Sequence, residues 1–85
     1  MVKGIVVGNI VSTRKQESLV GSKFMEVELI ENGKKTDKYI IAVDSVGAGI
    51  GETVLITLGS SARLALTQQL SPVDAVIVGI VDNIQ

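Results

Sequence analysis

Residues 42–63 read AVDSVGAGIGETVLITLGSSAR and carry the strongest structural signal in the chain. Three alternate glycines, Gly47, Gly49 and Gly51, precede a β-forming run at residues 53–58. A second turn of small residues follows at residues 59–63. A dinucleotide fingerprint needs its glycines to lead into a helix, whose amino terminus holds the phosphates. Because these glycines lead into a strand, we interpret them as a structural turn with positive φ angles or close backbone approach.

The remaining strand signals fit the same small all-β architecture. Residues 24–30 alternate, with Met25, Val27 and Leu29 on one face and Glu26 and Glu28 on the other, as in a half-exposed strand. Five or six short strands with glycine-rich corners predict a small closed or partly closed barrel. The strand candidates are residues 2–11, 24–30, 39–43, 53–58 and 75–81, and the one short helix candidate is residues 60–66.

Size and composition predict one domain, residues 1–85, that gains stability by association. The chain has 85 residues, 46% of them hydrophobic, with a formal net charge of −1 and neither cysteine nor histidine. A disulfide framework and a zinc site are therefore excluded, and we expect no metal or cofactor. The longest apolar run, residues 75–81, is too short to span a bilayer, and no secretory signal is recognisable, so we expect a cytoplasmic protein without membrane or nucleic-acid partners.

The Asn32-Gly33 pair between two strand candidates marks a hairpin. A two-residue turn would set Glu28 opposite Asp37, a repulsive pair. We prefer a three-residue loop, which sets Glu28 opposite Lys38 so that charges and apolar faces agree. Glu26 and Glu28 have the spacing of a glycosidase pair, but nothing else in the sequence supports sugar hydrolysis, and we interpret them as a solvated strand face.

The closing strand candidate is apolar on both faces. Val76, Val78 and Ile80 fall on one face, and Ala75, Ile77 and Val81 fall on the other, with Gly79 between. A strand that is apolar on both faces must be covered on both. Because a barrel has one interior and the sequence offers no second domain, we predict that another subunit covers the outer face.

The second turn offers no catalytic centre. Without histidine, Ser60 and Ser61 have no ordinary base, so we interpret a serine here as the N-cap of the short helix. Arg63 needs a carboxylate partner, with Asp44, Glu52 and Asp74 as candidates.

Three blocks of the sequence, in order, resemble the bacterial microcompartment vertex proteins of carboxysome and ethanolamine-utilisation type. They are residues 4–15, 42–63 and 72–82. The resemblance implies an oligonucleotide-binding-like barrel that forms cyclic homo-pentamers at the vertices of a polyhedral shell, beside hexameric shell proteins, with a structural rather than enzymatic role. It also predicts that two turns lie at subunit contacts or near the axial pore. With the closing strand, the predicted interface or pore residues are Asp44, Gly47, Ala48, Gly49, Gly51, Glu52, Gly59, Ser60, Ser61, Ala62, Arg63, Val76, Val78 and Ile80.

Two other functions stay open at this point. The first is a free barrel that binds single-stranded nucleic acid in a basic groove with stacking aromatics, although Phe24 and Tyr39 are the only rings. The second is a small noncatalytic subunit of an enzyme complex. The sequence alone does not tell which pathway a compartment would enclose.

Overall fold

A computed structural model describes residues 1–10, 23–59 and 74–82. These residues form five strands that close into a barrel in the order β1-β2-β3-β5-β4. All neighbouring strands are antiparallel except β3 and β5. The strands are β1 (Val2–Ile10), β2 (Lys23–Glu31), β3 (Lys34–Asp44), β4 (Thr53–Leu58) and β5 (Ala75–Val81).

The predicted five-stranded all-β barrel is thus confirmed, and β4 and β5 have the predicted bounds. Strand β3 begins well before its apolar run, because the hairpin ladder extends almost to the turn. The predicted helix at residues 60–66 lies outside the described residues.

The barrel interior is filled by alternate side chains of the strands. Strands β1, β2, β4 and β5 contribute fully buried side chains, and β3 contributes Ala42, which is 2% exposed. Alternation follows from the strand period of two, which sends every second side chain inward. The large interior side chains with less than 2% exposure are Val6, Met25, Val27, Val54, Ile56 and Ile77.

Gly4 marks the closest approach between β1 and β2. A Cβ atom at this position would overlap Val27 Cγ1 and lie 2.8 Å from the backbone oxygen of Glu28. Because glycine carries no side chain, β1 can pair closely with β2 at this position beside the buried Val27.

The β2–β3 hairpin corrects our predicted register. Asn32 and Gly33 have φ angles of 53° and 75°, as in a two-residue turn, and Glu31 pairs with Lys34. The three-residue loop is therefore wrong. Further along, however, Glu28 pairs with Tyr39, and neither Lys38 nor Asp37 lies directly opposite it.

A bulge in β3 explains this register. Asp37 has a φ angle of 60° and donates its backbone N–H to Glu28 Oε2 at 3.1 Å. Thr36 Oγ1 donates to the backbone oxygen of Leu29 at 2.8 Å and accepts from the Lys38 N–H at 3.2 Å. The bulge satisfies its freed polar groups locally and turns a predicted repulsion into a hydrogen bond.

A second apolar cluster lies on the outer side of the sheet. Val43 and Val76 pair across β3 and β5 and are buried, with Phe24 and Val78 packed against them. On the outer face of β5, Val76 is thus already buried within the protomer. The prediction that a second subunit must cover all of this face was too strong at Val76.

Candidate assembly surfaces

The loop between β3 and β4, residues 45–52, is organised by the carboxylate of Asp44. Its Oδ1 accepts the backbone N–H groups of Val46 and Gly47 at 3.0 and 3.1 Å, and its Oδ2 accepts that of Ala48 at 3.0 Å. The Asp44 side chain is 1% exposed, and Lys23 Nζ lies 3.8 Å from Oδ2. One buried charge therefore fixes three consecutive amides, an arrangement that holds the loop in one conformation.

Further hydrogen bonds tie the far end of this loop to β1. Glu52 Oε1 accepts the Gly49 N–H at 2.6 Å. The Gly51 N–H donates to the Val6 oxygen at 2.8 Å, and the Val6 N–H donates to the Glu52 oxygen at 3.0 Å. These bonds extend the β1–β4 ladder into the loop.

One side chain of the loop is buried in the barrel, and two apolar side chains are exposed to solvent. Ala48 is buried in the barrel core, whereas Val46 is half-exposed and Ile50 is 63% exposed. Gly47 and Gly51 have φ angles of 82° and 90°, which side chains with a Cβ rarely adopt. The interpretation of the glycine cluster as a structural turn is confirmed at these two positions.

The second turn is described only at its ends. Gly59 has a φ angle of 67° and donates its N–H to the Asp74 oxygen at 2.8 Å, which brings the end of β4 next to the start of β5. Ser60, Ser61, Ala62 and Arg63 lie outside the described residues. Asp44 and Glu52, two of the candidate partners of Arg63, accept backbone N–H groups of the loop with their carboxylates.

A bulge changes the predicted face of Ile80. Leu55 pairs with Gly79 and Ile56 pairs with Ile77, which leaves Val78 as the extra residue of β5. Ile80 consequently lies opposite Val54, a core residue, and not on the face of Val76. The predicted alternation along β5 therefore fails after Val78.

The outer face of β2 and β3 carries an apolar and acidic surface that our sequence analysis missed. Tyr39 and Ile41 are 50% and 57% exposed and lie directly opposite Glu28 and Glu26. Glu28 is only 5% exposed, so its prediction as part of a solvated face is wrong. The carboxylate of Glu28 raises the pKa of the Tyr39 phenol, with smaller contributions from desolvation, Asp37 and Glu26.

One concave surface of about 510 Å³ lies beside the glycine loop, at the ends of β1, β4 and β5. Its lining combines three charged residues, Lys3, Glu52 and Asp82, with small and apolar residues such as Gly51 and Ile80. Residues 1–10, 23–59 and 74–82 contain no group of three side chains suited to hold a metal ion. They also include no helix long and apolar enough to cross a membrane.

The fold and these surfaces define a small closed β-barrel that presents exposed apolar side chains on ordered strands and on a pinned loop. The sequence matches the family described as ethanolamine utilisation protein EutN/carboxysome over residues 1–82. The chain belongs to this EutN/CcmL family of microcompartment shell vertex proteins.

Known relatives agree in sequence and in structure. The chain is 45% identical over 82 residues to the carboxysome shell vertex protein CcmL of Gloeobacter violaceus, covering 95% of this chain and 82% of that protein. It is 44% identical over 81 residues to the microcompartment shell vertex protein EutN of Salmonella typhimurium, covering 94% and 82%. The pentameric shell protein GrpN of Rhodospirillum rubrum superposes with a TM-score of 0.86 at 42% identity, covering 100% of this chain and 96% of that one.

Proposed function

We propose that this chain assembles as a ring of five that caps the vertices of a polyhedral bacterial microcompartment shell. The observation that carries the proposal is family membership over nearly the whole chain, with relatives above 40% identity that are named as shell vertex proteins. Support for the pentamer comes from a solved relative described as pentameric, at 42% identity and a TM-score of 0.86.

The physical role is geometric. A flat lattice of hexagons cannot close into a polyhedron without pentagonal positions, and a ring of five fills such a position. One interface repeated by rotation closes into a ring when its angle divides the circle. In this proposal the partners are hexameric shell proteins that form the facets, and the location is the shell of a compartment in the cytoplasm.

The glycine loop is proposed to lie at a subunit contact or near the axial opening, together with residues 59–63. Its pinned conformation supports this placement, because Asp44 and Glu52 hold the loop amides while Val46 and Ile50 remain exposed. A loop with a fixed shape loses little conformational entropy when its apolar side chains are buried by a neighbour.

The role is proposed to be noncatalytic. The chain has no histidine or cysteine. Within the described part of the chain, the buried carboxylates of Glu28 and Asp44 accept backbone N–H groups, which is a structural use of their charge.

Native mass in solution tests the assembly. Light scattering is expected to give a fivefold multiple of 8.9 kDa at micromolar protomer concentration. A folded monomer under these conditions would refute the proposal. Co-expression with hexameric shell proteins then tests the vertex role. Electron microscopy should show closed polyhedra with the chain and open or irregular shells without it.

A further inference from the structure

Charged residues are divided unevenly around the barrel. Strands β1, β4 and β5 contain a single charged residue, Lys3, whereas β2 and β3 carry all the other charges of the strands. On the outer side of β1, β4 and β5, Val7 and Leu55 are 39% and 37% exposed, and Ile5 and Val81 are half-buried. We name Lys3, Ile5, Val7, Leu55 and Val81 the neutral wall.

A second outward surface, on β2 and β3, has a different character. Tyr39 and Ile41 form an exposed apolar column on β3, and Glu28 and Glu26 lie beside them on β2. We name these four residues the acidic strip. The two surfaces meet where Ile5 lies directly opposite Glu28 on β1 and β2. Strand β4 at the centre of the neutral wall is separated from β3, which carries Tyr39 and Ile41, by β5 on one side and by β1 and β2 on the other.

Lys3 and Glu26 do not pair with each other within one protomer. Glu26 lies opposite Gly8 on β1, and Lys3 lies opposite Ile30, which is about 13 Å from Glu26 along β2 by the rise per residue. Neither Lys3 nor Glu26 forms an ion pair with another described residue; the ion pair among the described residues joins Lys23 and Asp44. Both charges are therefore available to a second copy.

We infer that the acidic strip of one protomer packs on the neutral wall of the next copy in the ring. Tyr39 and Ile41 contact the region of Leu55, and Glu26 pairs with Lys3 of the neighbouring copy. This inference rests on the proposed pentamer, because a ring requires two different, complementary surfaces on each protomer. Both surfaces expose apolar side chains, and Lys3 on one surface is opposite in charge to Glu26 on the other, which favours a second copy as the occupant.

Reciprocal charge reversal tests the pairing. Lys3→Glu and Glu26→Lys each place like charges at the contact, and the double variant restores an opposite pair. We expect each single reversal to raise the protomer concentration for half-assembly about tenfold or more, since like charges cost several kcal/mol. The double variant should assemble like the wild type. Glu31→Lys, an equal charge change at the exposed end of β2, is the matched control and should leave assembly unchanged.

A cysteine pair gives an independent measurement. The chain has no cysteine, so Ile41→Cys with Leu55→Cys introduces the only thiols. Oxidation of the assembled double variant should give a covalent ladder up to five protomers, and each single variant should not. This test keeps the inference open to refutation even if a charge reversal prevents folding, which circular dichroism reports.

The outcomes separate the two proposals. A wild-type chain that stays monomeric refutes the pentamer itself. A wild-type pentamer with no covalent ladder overturns only the pairing of surfaces, and so do single reversals that assemble normally or a folded double variant that does not recover. In those cases the acidic strip and neutral wall face other shell proteins or solvent.

Discussion

Replacing Gly4 by alanine should destabilise the barrel strongly, although it adds a single methyl group. The added Cβ would overlap Val27 Cγ1 and lie 2.8 Å from the Glu28 backbone oxygen. Val27 is fully buried in the core cluster, so a shift of its side chain takes place against other interior side chains. The Glu28 oxygen belongs to the ladder between β1 and β2, so relief there requires the two strands to separate.

The magnitude follows from this geometry. Inserting a methyl group into a well-packed interior costs about 1–3 kcal/mol. Because both neighbours of the new Cβ are held in place, we expect the upper part of this range, about 2–3 kcal/mol. Total stability for a domain of this size is about 4–13 kcal/mol. For a small domain such a loss lowers the melting temperature by roughly 10–20 °C.

Gly8→Ala is the matched control on the same strand. A Cβ at Gly8 would meet no atom within 4 Å, and Gly8 has a negative φ angle. Alanine there should leave stability unchanged or raise it by about 0.4–1 kcal/mol. Thermal and urea unfolding at equal protomer concentration compare the two, since assembly makes stability concentration-dependent. Equal melting temperatures for both variants would refute the close-approach argument.

Three further predictions concern polar and apolar groups outside the interior. Asp44→Asn should lower stability by about 1–2 kcal/mol and speed amide exchange at Ala48, whose buried N–H loses a charged acceptor. The pKa of Tyr39, the single tyrosine, should lie above its ordinary value of 10.0 and fall in Glu28→Gln, as measured by tyrosinate absorbance. Because the folded phenol binds its proton more tightly, stability should decline as pH rises from 10.0 through the folded pKa. Val78→Asp should cost about 2–4 kcal/mol in thermal unfolding, because it places a charge against the outer apolar cluster.

Each of these has a control of similar chemistry. Asp82→Asn changes an exposed carboxylate. Equal melting temperatures for Asp82→Asn and Asp44→Asn would contradict the stabilising role of Asp44 in the loop. Glu31→Gln changes an exposed carboxylate on β2 and should leave the tyrosine titration unaltered. Val78→Thr keeps the side-chain shape without a charge, and a loss as large as that of the aspartate would show that polarity at this position, and not the charge, causes the loss.

Strands with a strong local signal were predictable from the sequence. Residues 53–58 and 75–81 are nearly continuous apolar runs between small or polar residues, and β4 and β5 have these bounds. The turn at Gly47 and Gly51 was predictable too, because the glycines precede a β-forming run and no helix follows to hold a phosphate. In both cases the information lies within a few neighbouring residues.

Registers were not predictable, since they depend on bulges. The Asn32-Gly33 turn is the two-residue type that its sequence favours, and we rejected it because it opposed Glu28 to Asp37. A bulge at Asp37 moves that residue out of the direct pair and lets its N–H donate to Glu28. Cross-strand side-chain pairing alone does not predict this register, because the Asp37 backbone N–H offsets the repulsion between the Asp37 and Glu28 carboxylates.

Assembly surfaces depend on topology in the same way. Val7 and Leu55 share the neutral wall because β1 pairs with β4, which is distant in sequence. The sequence shows that each of these strands has few charges. Only the topology shows that the three strands, with one lysine among them, lie side by side and form one surface. Exposed apolar side chains on these adjacent strands, such as Val7 and Leu55, favour association. In the ring that we propose, a neighbouring copy accounts for this distribution of charge around the barrel.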